Sequence, residues 1–161
     1  MKNLILVRHG KSSWEAPLQD FERPLTKRGI RDAHLVSQSV VQLLPKSYII
    51  FSSPAKRAAD TSLIFAQNFS FPIESIQFNQ RLYTFDANNL EHFVKNIDNA
   101  SESVILFGHN EAITNFVNKF GDIFIDNVTT SGFVSLQLDC SKWSEISRGR
   151  TTKVLFPRDL K

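Results

Sequence analysis

Three short polar segments each follow an apolar run, and each carries side chains suited to handling a phosphoryl group. Arg8-His9-Gly10 follows Leu4–Val7, Ser52-Ser53-Pro54-Ala55-Lys56-Arg57 follows Tyr48–Phe51, and Gly108-His109-Asn110 follows Val104–Phe107. A neutral imidazole attacks phosphorus and forms a covalent intermediate, which divides one difficult displacement into two easier ones. Neighbouring cations disfavour protonation of His9 and keep it nucleophilic near neutral pH. Guanidinium groups such as Arg8 and Arg57 match phosphoryl oxygens bidentately and stay charged throughout. A second imidazole at His109 can donate to an equatorial oxygen, where transition-state charge spreads. Gly10 and Gly108 let backbone come close to a ligand. The remaining histidines, His34 and His92, fall inside predicted helices and read as structural or surface residues. One Arg-His-Gly tripeptide is a weak signal. Three such segments at three strand ends are not.

The elements that must bring these segments together alternate along the chain. Residues 3–7 read as a strand. Thr26 is the expected cap of a helix with Ile30, Ala33, Val40, Val41 and Leu44 on its apolar face, stopped by Pro45. Residues 48–51 form the next strand, and Ser53-Pro54 opens a helix to about Phe69. A weaker strand is expected at Ile76–Phe78, then a helix capped by Asp86 with Leu90, Phe93, Val94 and Ile97 on one face. Residues 104–107 are a strand, and the helix after them carries Ile113, Phe116, Val117 and Phe120. Phe133–Leu138 alternates as a strand, with Trp143–Ile146 as its expected partner. This alternation predicts a mostly parallel sheet covered by helices on both faces. Ligands of such folds bind at the carboxyl ends of the strands.

Composition sets the bounds. The 161 residues fit a single domain, 1–161, and 42% hydrophobic with 22% charged is ordinary for a packed globular core. No apolar run approaches the roughly 20 residues of a bilayer span. The N-terminal run ends abruptly at Arg8-His9 with no small-residue cleavage site, which favours a first strand over a signal peptide. Cys140 is the sole cysteine and reads as inert; a cytoplasmic location is expected. The net charge of +3 and pI near 9.1 come from scattered basic residues, with no nucleic-acid motif. The expected state is a monomer without a nucleic-acid or membrane partner.

In order along the chain, Arg8-His9-Gly10, Ser53-Pro54-x-x-Arg57 and Gly108-His109-Asn110 resemble the histidine phosphatase (phosphoglycerate mutase-like) superfamily. Arg23-Pro24-Leu25-Thr26-Lys27-Arg28-Gly29 and Thr129-Thr130-Ser131-Gly132 look like its compact SixA-type branch, the phosphohistidine phosphatases. The resemblance implies a three-layer α/β/α sandwich, His9 as nucleophile, Arg8, Arg57 and His109 as the phosphate pocket, and neither metal nor cofactor. Ser12 and Asn110 are second-tier candidates for contact with phosphate, Asn110 also as a helix cap.

One part of the superfamily pattern is missing. Many members place an acid between the second and third motifs, and here that stretch reads Asn79-Gln80-Arg81-Leu82-Tyr83. Asp20, Asp86 and Glu111 remain candidates, each with a bland alternative as a solvated, paired or capping residue. Short connections predict an open site, which suits a phosphorylated protein. The leading expectation is hydrolysis of protein phosphohistidine. The alternatives are a small-molecule phosphomonoesterase and a non-catalytic phosphate-binding module.

Overall fold

The computed structural model describes residues 1–15 and 17–161. Six strands form one sheet: β1 (Lys2–Arg8), β2 (Ile49–Ser52), β3 (Gln77–Phe78), β4 (Ser103–Gly108), β5 (Phe133–Leu138) and β6 (Arg150–Leu155), in the order β3-β2-β4-β1-β5-β6. β1, β2, β3 and β4 are mutually parallel, while β5 runs antiparallel to both its neighbours. Among the described residues four α-helices cover the sheet: α1 (Lys27–Ser39), α2 (Lys56–Asn68), α3 (Ala87–Lys95) and α4 (Ala112–Phe120).

Strand alternation divides the core into two layers. Leu4, Leu6, Val104 and Leu106 pack with α3 and α4, while Ile5, Val7, Ile105 and Phe107 pack with α1 and α2. Both faces of β1 and β4 are therefore apolar, which is the reason for their unbroken hydrophobic runs. The three-layer α/β/α arrangement with a mostly parallel sheet agrees with the sequence-based expectation.

Three local expectations need correction. Thr26 caps α1 through Gly29, but Ile30 and Val41 are exposed, and Val36 joins Ala33 and Val40 in the core instead. α2 begins at Lys56 rather than at Ser53-Pro54, because the Ser53 hydroxyl is occupied with Ala55 and His109. The partner of β5 is β6, not Trp143–Ile146. Trp143 lies in a 3-10 turn, fully buried, with its indole N–H donated to the Ser101 carbonyl. No helix is long and apolar enough to cross a membrane among the described residues.

Candidate active site

β1, β2 and β4 lie side by side and parallel, so their carboxyl ends converge. Backbone hydrogen bonds continue the register past the strands: His9 N–H donates to Gly108, and Ser53 N–H to Phe107. Ser131, at φ 60°, turns its N–H onto the carbonyls of Arg8 and His9 and ties in the end of β5's leading loop. His9, Arg57 and His109 thereby meet in one buried cluster, with the two imidazole centroids 5.3 Å apart. The cleft above has a volume of about 320 Å³ and is lined by His9 together with Arg8, Ser12, Asp20, Arg23 and Arg57, with Trp14 and Phe85 also on its wall.

The Nδ1 atom of His9 lies 2.7 Å from the Gly10 carbonyl. A carbonyl only accepts, so Nδ1 carries the proton and the lone pair is on Nε2. Burial, followed by the charges of Arg57, Arg8 and Arg23, outweighs the opposing Gly10 hydrogen bond and brings the His9 pKa down to about 4. At neutral pH its imidazole is uncharged.

His109 differs. Its Nδ1 is 3.4 Å from a terminal nitrogen of Arg57, and its Nε2 is 2.8 Å from the Ser53 hydroxyl. An arginine N–H can only donate, so Nδ1 accepts and Nε2 holds the proton. Burial and the adjacent His9 and Arg57 bring its pKa down to about 3. Both ring nitrogens are engaged by protein, so His109 backs Arg57 rather than presenting a free N–H to the cleft.

The cations are held by few counter-charges. Arg57 donates 2.6 Å to the Asp20 carbonyl and 2.9 Å to its carboxylate, and Arg23 donates 3.0 Å to the other carboxylate oxygen. Arg23 also bonds the Ser12 hydroxyl and the Ser13 carbonyl. Arg8 donates 2.9 Å to the Val128 carbonyl, and burial pulls its guanidinium below the ordinary range against the opposing charge of Glu111. The Nε atoms of Arg8 and Arg57 are buried with no partner among the described residues. Burial works against ionisation of Asp20, yet hydrogen bonds from Tyr83, Arg57 and Arg23 outweigh it and hold the carboxyl at about 2.

The second-tier candidates fall in different places. Ser12 lines the cleft and binds Arg23. The Gly10 N–H is taken by Thr61, and a Cβ there would meet the Gly29 carbonyl at 3.1 Å, so its small size serves packing. Asn110 accepts from Thr114 at the start of α4 and donates to Asn127 and Val128, away from the cleft lining. Asp86 caps α3, and Glu111 is exposed beside His109's strand end; neither lines the cleft. Among the described residues no group of three His, Cys, Asp or Glu could hold a metal ion.

Sequence reasoning assigned no pocket role to Arg23 or Tyr83 and left Asp20 as a candidate acid. Asp20 and Arg23 flank a short 3-10 turn with no periodic pattern, and only their i,i+3 spacing hinted at a pair.

The sequence profile of the histidine phosphatase superfamily (branch 1) matches residues 4–93. An uncharacterized chloroplastic protein of Arabidopsis thaliana is 29% identical over 153 residues, covering 89% of this chain and 70% of that one. The protein histidine phosphatase SixA, solved with tungstate, superposes with a TM-score of 0.83 at 22% identity over 99% of both chains. A SixA protein of Nakamurella multipartitia gives 0.81 at 19% identity, covering 97% of this chain and 96% of that one. The chain belongs to the histidine phosphatase superfamily.

Proposed function

We propose that this member of the histidine phosphatase superfamily hydrolyses phosphohistidine on a protein through a covalent phosphoryl group on Nε2 of His9. The observation that carries this reading is a charge imbalance. Two guanidiniums, Arg23 and Arg57, share the one carboxylate of Asp20, a third, Arg8, is held only by the Val128 carbonyl, and the Nε atoms of Arg8 and Arg57 lack partners among the described residues, all beside an uncharged imidazole. A phosphoryl dianion supplies the missing counter-charge and accepts from those donors. The similar SixA protein binds tungstate, itself a tetrahedral oxyanion.

In the first step the His9 Nε2 lone pair bonds to phosphorus as the bond from phosphorus to the leaving ring nitrogen breaks. The reacting form of the substrate is the phosphoimidazolium, protonated from solvent on its other ring nitrogen, so the leaving imidazole departs neutral. The positive phosphoimidazolium on His9 is steadied by its Nδ1–H···O bond to Gly10. In the second step water attacks phosphorus, the Nε2–P bond breaks, and phosphate leaves as a proton passes to solvent.

The choice of phosphohistidine follows from proton supply. Asp20 is the sole carboxylate on the cleft lining among the described residues, and at a pKa of about 2 it holds no proton at neutral pH. An alkoxide leaving group needs a donor, whereas an imidazole leaving group brings its own. Asp20 and His109 act instead by fixing Arg57.

The test is a single-turnover assay with a ³²P-phosphohistidine protein on wild type and His9→Ala. Label passing transiently to the wild-type chain and then to free phosphate is expected, with a fall of roughly 10³-fold or more in His9→Ala. Equal hydrolysis by both proteins overturns the nucleophile. Faster turnover of small phosphomonoesters than of the phosphohistidine protein overturns the substrate.

A further inference from the structure

Two aromatic side chains at the mouth of the cleft are left exposed where a soluble protein ordinarily covers them. Trp14 is 75% exposed although the Arg23 guanidinium carbon lies over its ring, 3.2 Å from the centroid. Phe85 is 52% exposed and stands edge-on to the His109 ring at 5.4 Å. A continuous series of contacts, Trp14–Arg23–Asp20–Arg57–His109–Phe85, spans the cleft from one aromatic to the other. The phosphoryl-binding groups thus lie between them.

We propose that Trp14 and Phe85 select phosphoryl donors whose leaving group is a planar ring bonded directly to phosphorus through nitrogen or oxygen. This rests on the reading that the cleft holds a phosphoryl group over His9. In-line displacement places the leaving atom opposite the attacking Nε2. His9 is buried at the floor of the cleft, so the leaving group projects towards the mouth, where Trp14 and Phe85 stand. A flat ring there gains stacking that a flexible alkyl chain does not, and a protonated imidazole also gains cation–π attraction. Arg23 is fixed by Asp20, Ser12 and the Ser13 carbonyl, so Trp14 rests on a rigid support and loses little freedom when a ring stacks on it.

The experiment compares kcat/KM of Trp14→Ala/Phe85→Ala with wild type on four small donors. Phosphoimidazole and phosphoramidate share a P–N bond, phenyl phosphate and glycerol 3-phosphate a P–O bond, and one of each pair has a ring. Taking the variant-to-wild-type ratio for each donor cancels intrinsic leaving-group reactivity. A loss of roughly two- to tenfold on the ring donors, with the ringless donors unchanged, is the expected result. Loss confined to phosphoimidazole or to phenyl phosphate supports the proposal and identifies the nitrogen- or oxygen-linked source. Equal loss on all four donors, or none on any, overturns it, as does a loss seen only with a phosphorylated protein, which would assign the rim to protein docking. Trp14→Phe restores the ring-donor rate if stacking is the cause. A wild type that releases phosphate from the phosphohistidine protein but hydrolyses none of the four overturns ring selection and leaves the proposed function standing; hydrolysis of the protein and the four donors equally by His9→Ala defeats the proposed function and ring selection with it.

Discussion

The two ends of the parallel strands differ in chemistry more than in shape. At the amino ends of β2 and β4 lies the larger cavity, about 500 Å³, lined by residues 45–49 and 100–103. Its charged side chains, Lys46 and Glu102, are both exposed to solvent. At the carboxyl ends the cleft is smaller, yet it draws Arg23, Arg57, His9 and His109 out of water. Ionisable groups are costly to bury unless something compensates them. Two buried guanidiniums around one carboxylate, beside two uncharged imidazoles, suit an anion. Size alone would favour the opposite end from the one this chemistry favours.

The comparison breaks most readily at Arg57. Arg57→Ala removes two donors from Asp20 and one from His109, and a fall of about 10²–10³-fold in kcat is expected. Arg57→Lys should recover little of it, because an ammonium cannot hold both Asp20 oxygens and a phosphoryl group in one plane. Wild-type rates in Arg57→Ala would show that this end is merely cationic.

Acid provides a second test. His9 and His109 are held at about 4 and about 3, below the ordinary 6.5, so the unfolded chain binds more protons between those values. Stability is therefore complete above about pH 6.5 and is lost as pH falls towards 4, by an amount on the order of a few kcal/mol. Urea midpoints measured from pH 7 to 4 should fall, and His9→Asn or His109→Asn should flatten that slope. A slope unchanged in both variants would mean the imidazoles titrate normally. The smallest expected effect is at the opposite end: Lys46→Ala and Glu102→Gln should leave kcat/KM within about twofold, as exposed surface changes do. A larger loss there would give the amino-terminal cavity a part in turnover.

Much of this was legible in residue order, and the gaps have physical causes. β1, β4 and the apolar faces of α3 and α4 were read because burial on both sides of a strand, or one side of a helix, imposes a period. β6 was missed because it is an edge strand, and Arg150-Thr151-Thr152-Lys153 is largely open to solvent. Trp143 misled in the opposite sense, since an apolar residue can plug a core from a turn as well as from a strand. At the site, side chains that follow strands were found by position alone. Asp20, Arg23 and Tyr83 were not given their places, because their meeting is tertiary: Tyr83 reaches Asp20 from far along the chain, and no local pattern records that hydrogen bond. The candidacy of Asp20 as an acid, one of three left open, gives way in the proposed mechanism to the role of a clamp once its three donors are visible.

The position of β1 also bears on how the protein is made. β1 is synthesised well before its sheet neighbours β4 and β5, and its Arg8 is held by the Val128 carbonyl. At about 5–20 residues per second, β1 waits on the order of ten seconds for Leu138 to be synthesised. During that interval a nascent chain carries an unpaired apolar strand and no assembled pocket. Translation therefore leaves the proposed pocket unassembled until β5 has emerged, and the interval when β1 most needs a chaperone is the interval before the cleft exists.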